Sequence, residues 1–211
     1  MKLYAYYRSS TSYRVRIALN LKGLDYAIVP VNLLTSEQRG ADYLAINPFG
    51  GVPALEVDGR IHAQSMPIME WLEDRWPQAP LLPADPDARF TVRELAYAMA
   101  TELHAPLNLP VLKYLKNEMG QGQPAIDAWY RHWIARTLTP LEQRLDMLAT
   151  GDFLFERPGL FEAVLIPQLY NARRFAFDLS AMPRLCRIEA ACVKLPAFVK
   201  AHPDNQPDAP A

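Results

Sequence analysis

The sequence contains little cysteine and almost no excess charge. Its only two cysteines, Cys186 and Cys192, are six residues apart in a helical segment, a spacing that points them in different directions. This argues against a disulfide or a cysteine metal clip, so we expect two reduced structural thiols. The formal net charge is -1, so no general basic field attracts nucleic acid or membrane lipid. An anionic substrate would have to be bound by a few local cations.

Long apolar runs and the usual metal or nucleotide motifs are also missing from the sequence. No run approaches the length that crosses a bilayer, and a strand pattern begins at Lys2 without room for a leader. We therefore expect a cytoplasmic protein. No metal-ligand cluster and no phosphate-binding glycine-rich loop is visible. Half of the residues are apolar, which is enough for a core of one large or two small domains.

The first eighty residues alternate strand and helix patterns. β-rich runs at 2–7 and 26–31 predict two strands, and apolar residues at helical spacing predict helices over 14–22 and 36–46. Gly23 stands where a left-handed helix C-cap belongs. The predicted order is therefore strand, helix, strand, helix.

The strongest local pattern in the chain is a hairpin. Asp58-Gly59 separates two β-rich runs, and this pair favours a type I′ turn because both central residues need positive φ. A helix capped by Ser65 follows and runs to Trp76. The order βαβα followed by ββα is that of a thioredoxin-like α/β domain, which we place at residues 1–80.

The rest of the sequence is helical in pattern. Residues 77–86 are too rich in proline for regular structure, so we interpret them as the link to an all-α second domain over 87–211. Apolar residues at helical spacing predict helices over 90–107, 125–148, 160–177 and 183–201. The polar, proline-rich end, 202–211, is expected on the surface without helical structure.

The start of the first helix lacks the Cys-x-x-Cys with which thioredoxin-like domains usually perform redox chemistry. Its place is taken by Ser9, Ser10, Thr11 and Ser12. These serines could simply cap the helix. Alternatively, hydroxyl and backbone N–H donors at a helix N-terminus could hold the thiolate of another molecule, namely glutathione. For Ser9, the hydroxyl and the helix dipole would each contribute on the order of 1 kcal/mol.

Two further sites follow in the order that a glutathione site needs. A cis proline at Val52-Pro53 would leave the Val52 backbone free to pair with an extended peptide. Gln64 and Ser65 open the next helix, where donors can receive the γ-glutamyl carboxylate. A serine at a helix start is more often only a cap, but three such sites in order favour a glutathione site.

Motifs along the whole chain resemble those of zeta-class glutathione transferases, the family that contains maleylacetoacetate and maleylpyruvate isomerases. The similar segments are SSTSYRVRIALNLKG at 9–23, NPFGGVPAL at 47–55, QSMPIMEWLE at 64–73, LLPADP at 81–86, NLPVLKYL at 108–115, IPQLYNARRF at 166–175 and QPDA at 206–209. The resemblance implies a thioredoxin-like domain, an all-helical domain and a homodimer. It also implies glutathione-dependent conversion of a maleyl keto acid to its fumaryl isomer in aromatic amino acid catabolism.

The resemblance also implies roles for individual residues. The residues matched to the catalytic positions are Ser9, Ser10, Arg8 and Arg174. Those matched to glutathione binding are Gln38, Val52, Pro53, Gln64, Ser65 and Glu102, the last of which reaches the partner subunit's glutathione in some members. Those matched to binding of the dicarboxylate substrate are Arg8, His104, Asn108 and Arg174.

The sequence departs from the family pattern at three places. Thr11 replaces a common cysteine on which the dehalogenase branch relies, which argues against reductive dehalogenation. Residues 159–162 read GLFE where a Ser/Thr-x-x-Asp capping box is usual, so the reciprocal hydroxyl bond is lost and stability or local geometry is expected to change. Pro110 stands where some maleylpyruvate isomerases carry an arginine, which favours maleylacetoacetate as substrate.

Two alternatives remain open at this point. The protein could be a glutathione transferase or dehalogenase that acts on small α-halo acids with the same thiolate. It could instead be a glutathione transferase fold retained only for protein interaction, in which case glutathione would not bind. The sequence alone does not fix the natural maleyl substrate.

Overall fold

The computed structural model describes residues 1–210, which form two compact units. Unit 1 contains residues 1–82 and 193–210, and unit 2 contains residues 83–192. The second domain predicted over 87–211 therefore loses its C-terminal part, which packs with unit 1. No helix within residues 1–210 is long and apolar enough to cross a membrane.

Unit 1 contains a four-stranded sheet. Its strands are β1 (Lys2–Ala5), β2 (Ala27–Pro30), β3 (Ala54–Val57) and β4 (Arg60–Ala63), in the order β2-β1-β3-β4. β1 pairs in parallel with β2, and the other two pairings are antiparallel. Leu3 of β1 lies opposite Leu55 of β3, and both side chains are fully buried. The apolar residues of the two inner strands thus form the centre of this unit's core.

The helices of unit 1 surround this sheet. They are α1 (Ser10–Leu21), α2 (Ala41–Ile46), α3 (Ser65–Arg75) and α9 (Pro196–Ala201), with 3₁₀ turns at Glu37–Arg39 and Pro203–Asn205. Gly23 follows α1 with φ +66°, and the hairpin residues Asp58 and Gly59 have φ of 50° and 74°, as predicted. The predicted thioredoxin-like fold with an all-helical remainder is confirmed.

Two of the predicted elements of unit 1 differ in the structure. The helix predicted over 36–46 is a 3₁₀ turn followed by the short α2, because Gly40 between them is extended, with φ -70° and ψ 152°. Ser65 does not cap α3 but is its first residue. The N-cap is Gln64, which has φ +71° and makes no side-chain cap bond.

The C-terminal segment is bonded to the rest of unit 1, and the prediction that it lacks helical structure is wrong at the 3₁₀ turn Pro203–Asn205. The buried Arg16 guanidinium of α1 donates to the carbonyl of Ala201 through Nε (2.9 Å) and to that of Tyr7 through Nη2 (2.8 Å). Asp208 accepts a bond from the Tyr7 N–H (2.8 Å). Gln206 is buried and donates to two carbonyls of the same segment. Residue 211 lies outside the described residues.

A buried ion pair joins the C-terminal ends of α1 and α3. Lys22 Nζ lies 2.8 Å from Glu73 Oε2 and also donates to the carbonyls of Trp76 and Ala79. Glu73 in turn accepts the N–H of Leu81 at 2.7 Å. The network binds the proline-rich segment to α1 and α3. That segment has no regular structure, as predicted, until the next helix begins at Pro86.

Unit 2 is entirely helical in the described residues. Its helices are α4 (Pro86–Ala98), α5 (Leu109–Asn117), α6 (Gln123–Met147), α7 (Leu160–Arg174) and α8 (Pro183–Cys192), with a π-helical turn at Met99–Leu103. The helix predicted over 90–107 therefore ends in this π turn, and the helix predicted over 183–201 is two helices, α8 and α9. Both cysteines are free, as predicted.

Helix α7 forms the core of unit 2, and its start is held by a carboxylate. Residues 160–169 are all buried. Glu162 accepts the N–H of Gly159, the N-cap, and the N–H of Leu154, each at 2.8 Å. Half of the usual capping box is therefore present without a hydroxyl at the N-cap. Burial raises the pKa of Glu162, while the backbone donors act in the opposite direction.

Candidate active site

Ser9 is the N-cap of α1, and its hydroxyl is part of a chain of hydrogen bonds. Its Oγ accepts the Ser12 N–H at 3.2 Å and lies 2.9 Å from Thr11 Oγ1. Thr11 donates its only hydroxyl proton to the Val52 carbonyl at 2.8 Å. Ser9 must therefore be the donor to Thr11. The start of α1 is linked in this way to the residue before Pro53.

The start of α1 has features that favour an anion near Ser9. Helix α1 has 12 residues and no acidic side chain in its first turn, so its N-terminal dipole favours an anion there, although the Asp208 carboxylate is bonded to the Tyr7 N–H just before it. Arg8, half-buried, lies immediately before Ser9, and its guanidinium carbon is 5.7 Å from the centre of the Tyr7 ring. Ser10 is the first residue of α1. An anion near Ser9 would thus meet a hydroxyl, a helix N-terminus and a nearby cation.

The loop that leads to Val52 is fixed by residues that the sequence did not single out. The hydroxyl of Tyr43 and the amide of Asn47 each donate to the Gly51 carbonyl at 2.7 Å. Both side chains are buried, and burial raises the pKa of Tyr43 to about 12. The Val52-Pro53 peptide bond is cis, as predicted. The Val52 N–H makes no hydrogen bond to any residue of the described chain.

Gln38 lies beside this loop. It is buried in the 3₁₀ turn, and its Oε1 has no hydrogen-bond partner among residues 1–210. Gly50 has φ +59°, and a Cβ there would lie 3.0 Å from the Gln38 carbonyl, so glycine permits the close approach of turn and loop. A buried amide oxygen is therefore available near Val52 for an N–H donor.

The start of α3 contains Gln64, Ser65 and an arginine that sequence reasoning missed. Ser65 is buried, and its Oγ accepts a bond of 3.3 Å from Nη1 of Arg14. Arg14 lies about one and a half turns beyond Ser9 on α1. Helix α1 thus positions Ser9 at its own start and Arg14 at the start of α3. The only sequence signal was that two arginines, Arg14 and Arg16, alternate with apolar residues in this helix segment.

The candidates of unit 2 lie near one end of α6. Arg174, exposed at the end of α7, donates to Asn171 Oδ1 at 3.2 Å. The next residue, Phe175, stacks on Tyr130 of α6 with ring centres 3.5 Å apart. Trp129, beside Tyr130, donates to the Pro106 carbonyl at 2.9 Å. Neighbouring residues of α6 thus contact both the end of α7 and the loop after the π turn.

The remaining unit 2 candidates belong to the π turn and this loop. Glu102 is exposed within the π turn, and His104 follows it, half-buried. Asn108 is the N-cap of α5, and its side chain accepts the Leu109 N–H at 2.8 Å. Unit 1 contains the other candidates, and within it the structure brings together Ser9, Thr11 and Val52.

Comparison with known proteins agrees with this architecture. The family described as "Glutathione S-transferase, N-terminal domain" matches residues 8–75. The chain is 46% identical to maleylacetoacetate isomerase of Pseudomonas aeruginosa, over 100% of both chains. It superposes with a TM-score of 0.97 on the holo structure of a bacterial zeta-class maleyl pyruvate isomerase, at 40% identity and 100% coverage of both.

A second solved structure is similar over the same length. Maleylacetoacetate isomerase of Methylobacterium extorquens AM1, with bound malonate and glutathione, has a TM-score of 0.95 and 37% identity, again covering 100% of both chains. Full-length identity of this order, together with the fold, confirms the resemblance inferred from the motifs. The chain belongs to the zeta-class glutathione transferase family, which contains the maleylacetoacetate and maleylpyruvate isomerases.

Proposed function

We propose that the protein is a glutathione-dependent isomerase that converts a maleyl keto acid, in the first place maleylacetoacetate, to its fumaryl isomer. The observation that carries the proposal is the thiol-free start of α1, where the Ser9 hydroxyl lies at the helix N-terminus. The isomerases of this family that match the chain from end to end support the same reaction.

Groups without partners in unit 1 fit an extended peptide such as glutathione. The Val52 N–H and the Gln38 Oε1 are a donor and an acceptor for peptide groups. The buried Ser65 and the start of α3 provide donors for a carboxylate. These residues and Gln64 would hold glutathione, which when bound supplies a thiolate nucleophile and is regenerated in each cycle.

Ser9 would stabilise that thiolate by turning its hydroxyl. In the structure its proton points to Thr11 Oγ1, a neutral acceptor. Rotation about the Cβ–Oγ bond exchanges this bond for a charge-assisted one, which is about twice as strong. The Oγ continues to accept the Ser12 N–H, so the cap of α1 is retained.

Arginines would hold the carboxylates of the substrate. Arg8 and Arg174 are the proposed residues, since guanidinium groups match carboxylate geometry in two-bond contacts. A fixed cation at each carboxylate would orient the double bond for addition and keep the molecule bound while the carbon–carbon bond rotates. His104 and Asn108 are proposed to complete substrate binding.

The deciding experiment measures isomerisation of maleylacetoacetate and of maleylpyruvate, with and without glutathione. We expect turnover only with glutathione. Turnover of α-halo acids but of neither maleyl compound would make the protein a transferase or dehalogenase. Failure to bind glutathione would make it an interaction protein.

We also propose a cytoplasmic homodimer that serves aromatic amino acid catabolism, with Glu102 directed to the partner subunit's glutathione. The absence of a dimer in sedimentation velocity at micromolar concentration would contradict the role of Glu102 and leave the isomerase proposal intact.

A further inference from the structure

Arg14 is a buried cation without a counter-charge among residues 1–210. Its side chain is 1% exposed, and Nη1 makes one bond, to Ser65 Oγ, whereas Nε and Nη2 have no partner among the described residues. Burial lowers the pKa of Arg14 to about 9, which still leaves it charged at neutral pH. A buried charge of this kind is costly to the folded protein unless something pairs with it.

Arg16 is a second buried arginine of unit 1, and unlike Arg14 it has several hydrogen-bond partners. It is as buried as Arg14 and lies two residues further along α1. Its guanidinium donates to the carbonyls of Ala201, Tyr6 and Tyr7. Those partners satisfy Arg16 within the fold. The missing partner of Arg14 is therefore particular to that position.

The surroundings of Arg14 select an anion. Ser65 is the first residue of α3, a helix of 11 residues with no acidic side chain in its first turn. A buried guanidinium and an uncompensated helix N-terminus thus act on the same place. Since Ser65 Oγ accepts from Arg14, its own proton is left to donate outward. A carboxylate that accepts from Ser65 would be attracted by the buried charge behind it.

We propose that Arg14 is a positioning residue for glutathione: it orients the Ser65 hydroxyl and supplies the buried charge that attracts the γ-glutamyl α-carboxylate. This inference rests on the proposed glutathione dependence. It predicts that Arg14 costs stability in the free protein and that glutathione recovers the loss on binding.

The test compares two ligands in calorimetric titration. One is glutathione and the other is γ-aminobutyryl-cysteinyl-glycine, which lacks only the α-carboxylate. Replacing Arg14 by methionine, Arg14→Met, should weaken glutathione binding about 10- to 100-fold, the range for one charge-assisted bond. Binding of the analogue should change less than about threefold, because the analogue has no α-carboxylate for the Arg14 guanidinium to attract.

A second measurement separates this role from a structural one. The free Arg14→Met protein should melt no lower than the wild type, while the rise in melting temperature on adding glutathione should shrink. The double variant with Ser65→Ala should bind glutathione no more weakly than about the worse single variant, because the two residues act as a unit. If Arg14→Met does not fold, Arg14→Gln, which removes the charge and remains polar, serves in the same comparison.

Equal losses for both ligands, or no loss for either, would overturn the inference and leave the isomerase proposal standing. If the wild-type protein itself binds no glutathione, the proposed function fails first.

Discussion

The hydroxyl of Ser9 makes two hydrogen bonds, one through its oxygen as acceptor and one through its proton as donor. The sequence left open whether Ser9 caps α1 or stabilises a thiolate. In the structure the oxygen accepts from Ser12 N–H, and the proton is directed to Thr11. The cap uses a lone pair and the proposed chemistry uses the proton. The two roles are therefore compatible in one side chain.

Ser9→Ala should raise the pKa of the bound glutathione thiol. At a pH below the thiol pKa of both complexes a smaller fraction would be ionised, and isomerase turnover should fall about tenfold for each unit of pKa rise. The loss of turnover should shrink as pH rises, because the bound thiol is fully ionised in both the variant and the wild type above the raised pKa. The measurement is the ultraviolet absorbance of the thiolate as a function of pH.

Ser12→Ala is the matched control for this variant. It removes a hydroxyl from the same helix turn, but that hydroxyl is buried and has no partner within residues 1–210. Its thiol should titrate as in the wild type. If the Ser9→Ala complex also titrates at the wild-type pH, Ser9 does not act on the thiolate.

At the residue scale, the sequence predicted the groups at helix starts but not the buried residues that hydrogen-bond to them or to the neighbouring loop. Ser9 and Ser65 were identifiable because helix N-termini have known side-chain preferences. Arg14 acts through a contact with Ser65, 51 residues away, and Tyr43 acts through a contact with Gly51 in an irregular loop. Nothing in the local pattern around them predicts those contacts.

At the scale of elements, predictions held where neighbouring residues decide the structure. The hairpin at Asp58-Gly59 is confirmed because the turn geometry depends on those two residues alone. The helix predicted over 36–46 is wrong because apolar spacing did not reveal the extended Gly40. The ordered C-terminal segment depends on Arg16, which is far away in sequence.

The Lys22–Glu73 pair gives a prediction about stability. Glu73→Gln should cost about 3–5 kcal/mol of unfolding free energy, because it leaves a buried ammonium without its counter-charge. The measurement is urea denaturation. Lys2→Met, which breaks the exposed pair with Glu56, is the control and should cost less than about 1 kcal/mol. Equal costs for the two variants would mean that the buried network does not hold the proline-rich segment in place.

At the scale of the whole molecule, the proposed choice of substrate depends on the cations available for its two carboxylates. Pro110 is exposed at the second position of α5, and the resemblance implies an arginine at this position in some maleylpyruvate isomerases. The first turn of a helix needs no bond from this N–H, so Pro110→Arg should fold normally. It should raise kcat/KM for maleylpyruvate relative to maleylacetoacetate by about 10- to 100-fold, the value of one charge-assisted bond.

Pro124→Arg is the control for substrate choice, because Pro124 is also exposed at the second position of its helix, α6. It adds the same charge at an equivalent helix position and should leave the ratio of the two substrates unchanged. A native preference for maleylpyruvate, or no gain specific to Pro110→Arg, would contradict the role assigned to position 110.

Unit 1 is discontinuous in sequence, since all of unit 2 lies between residues 82 and 193. Domains generally fold in order as the ribosome extends the chain. Here α1 is synthesised early, but α9, which packs against it, and the Ala201 carbonyl that satisfies Arg16 come only after unit 2 is complete. A chain that ends before residue 193 would therefore contain every residue of unit 2 but an incomplete unit 1, in which the buried Arg16 guanidinium lacks the Ala201 carbonyl.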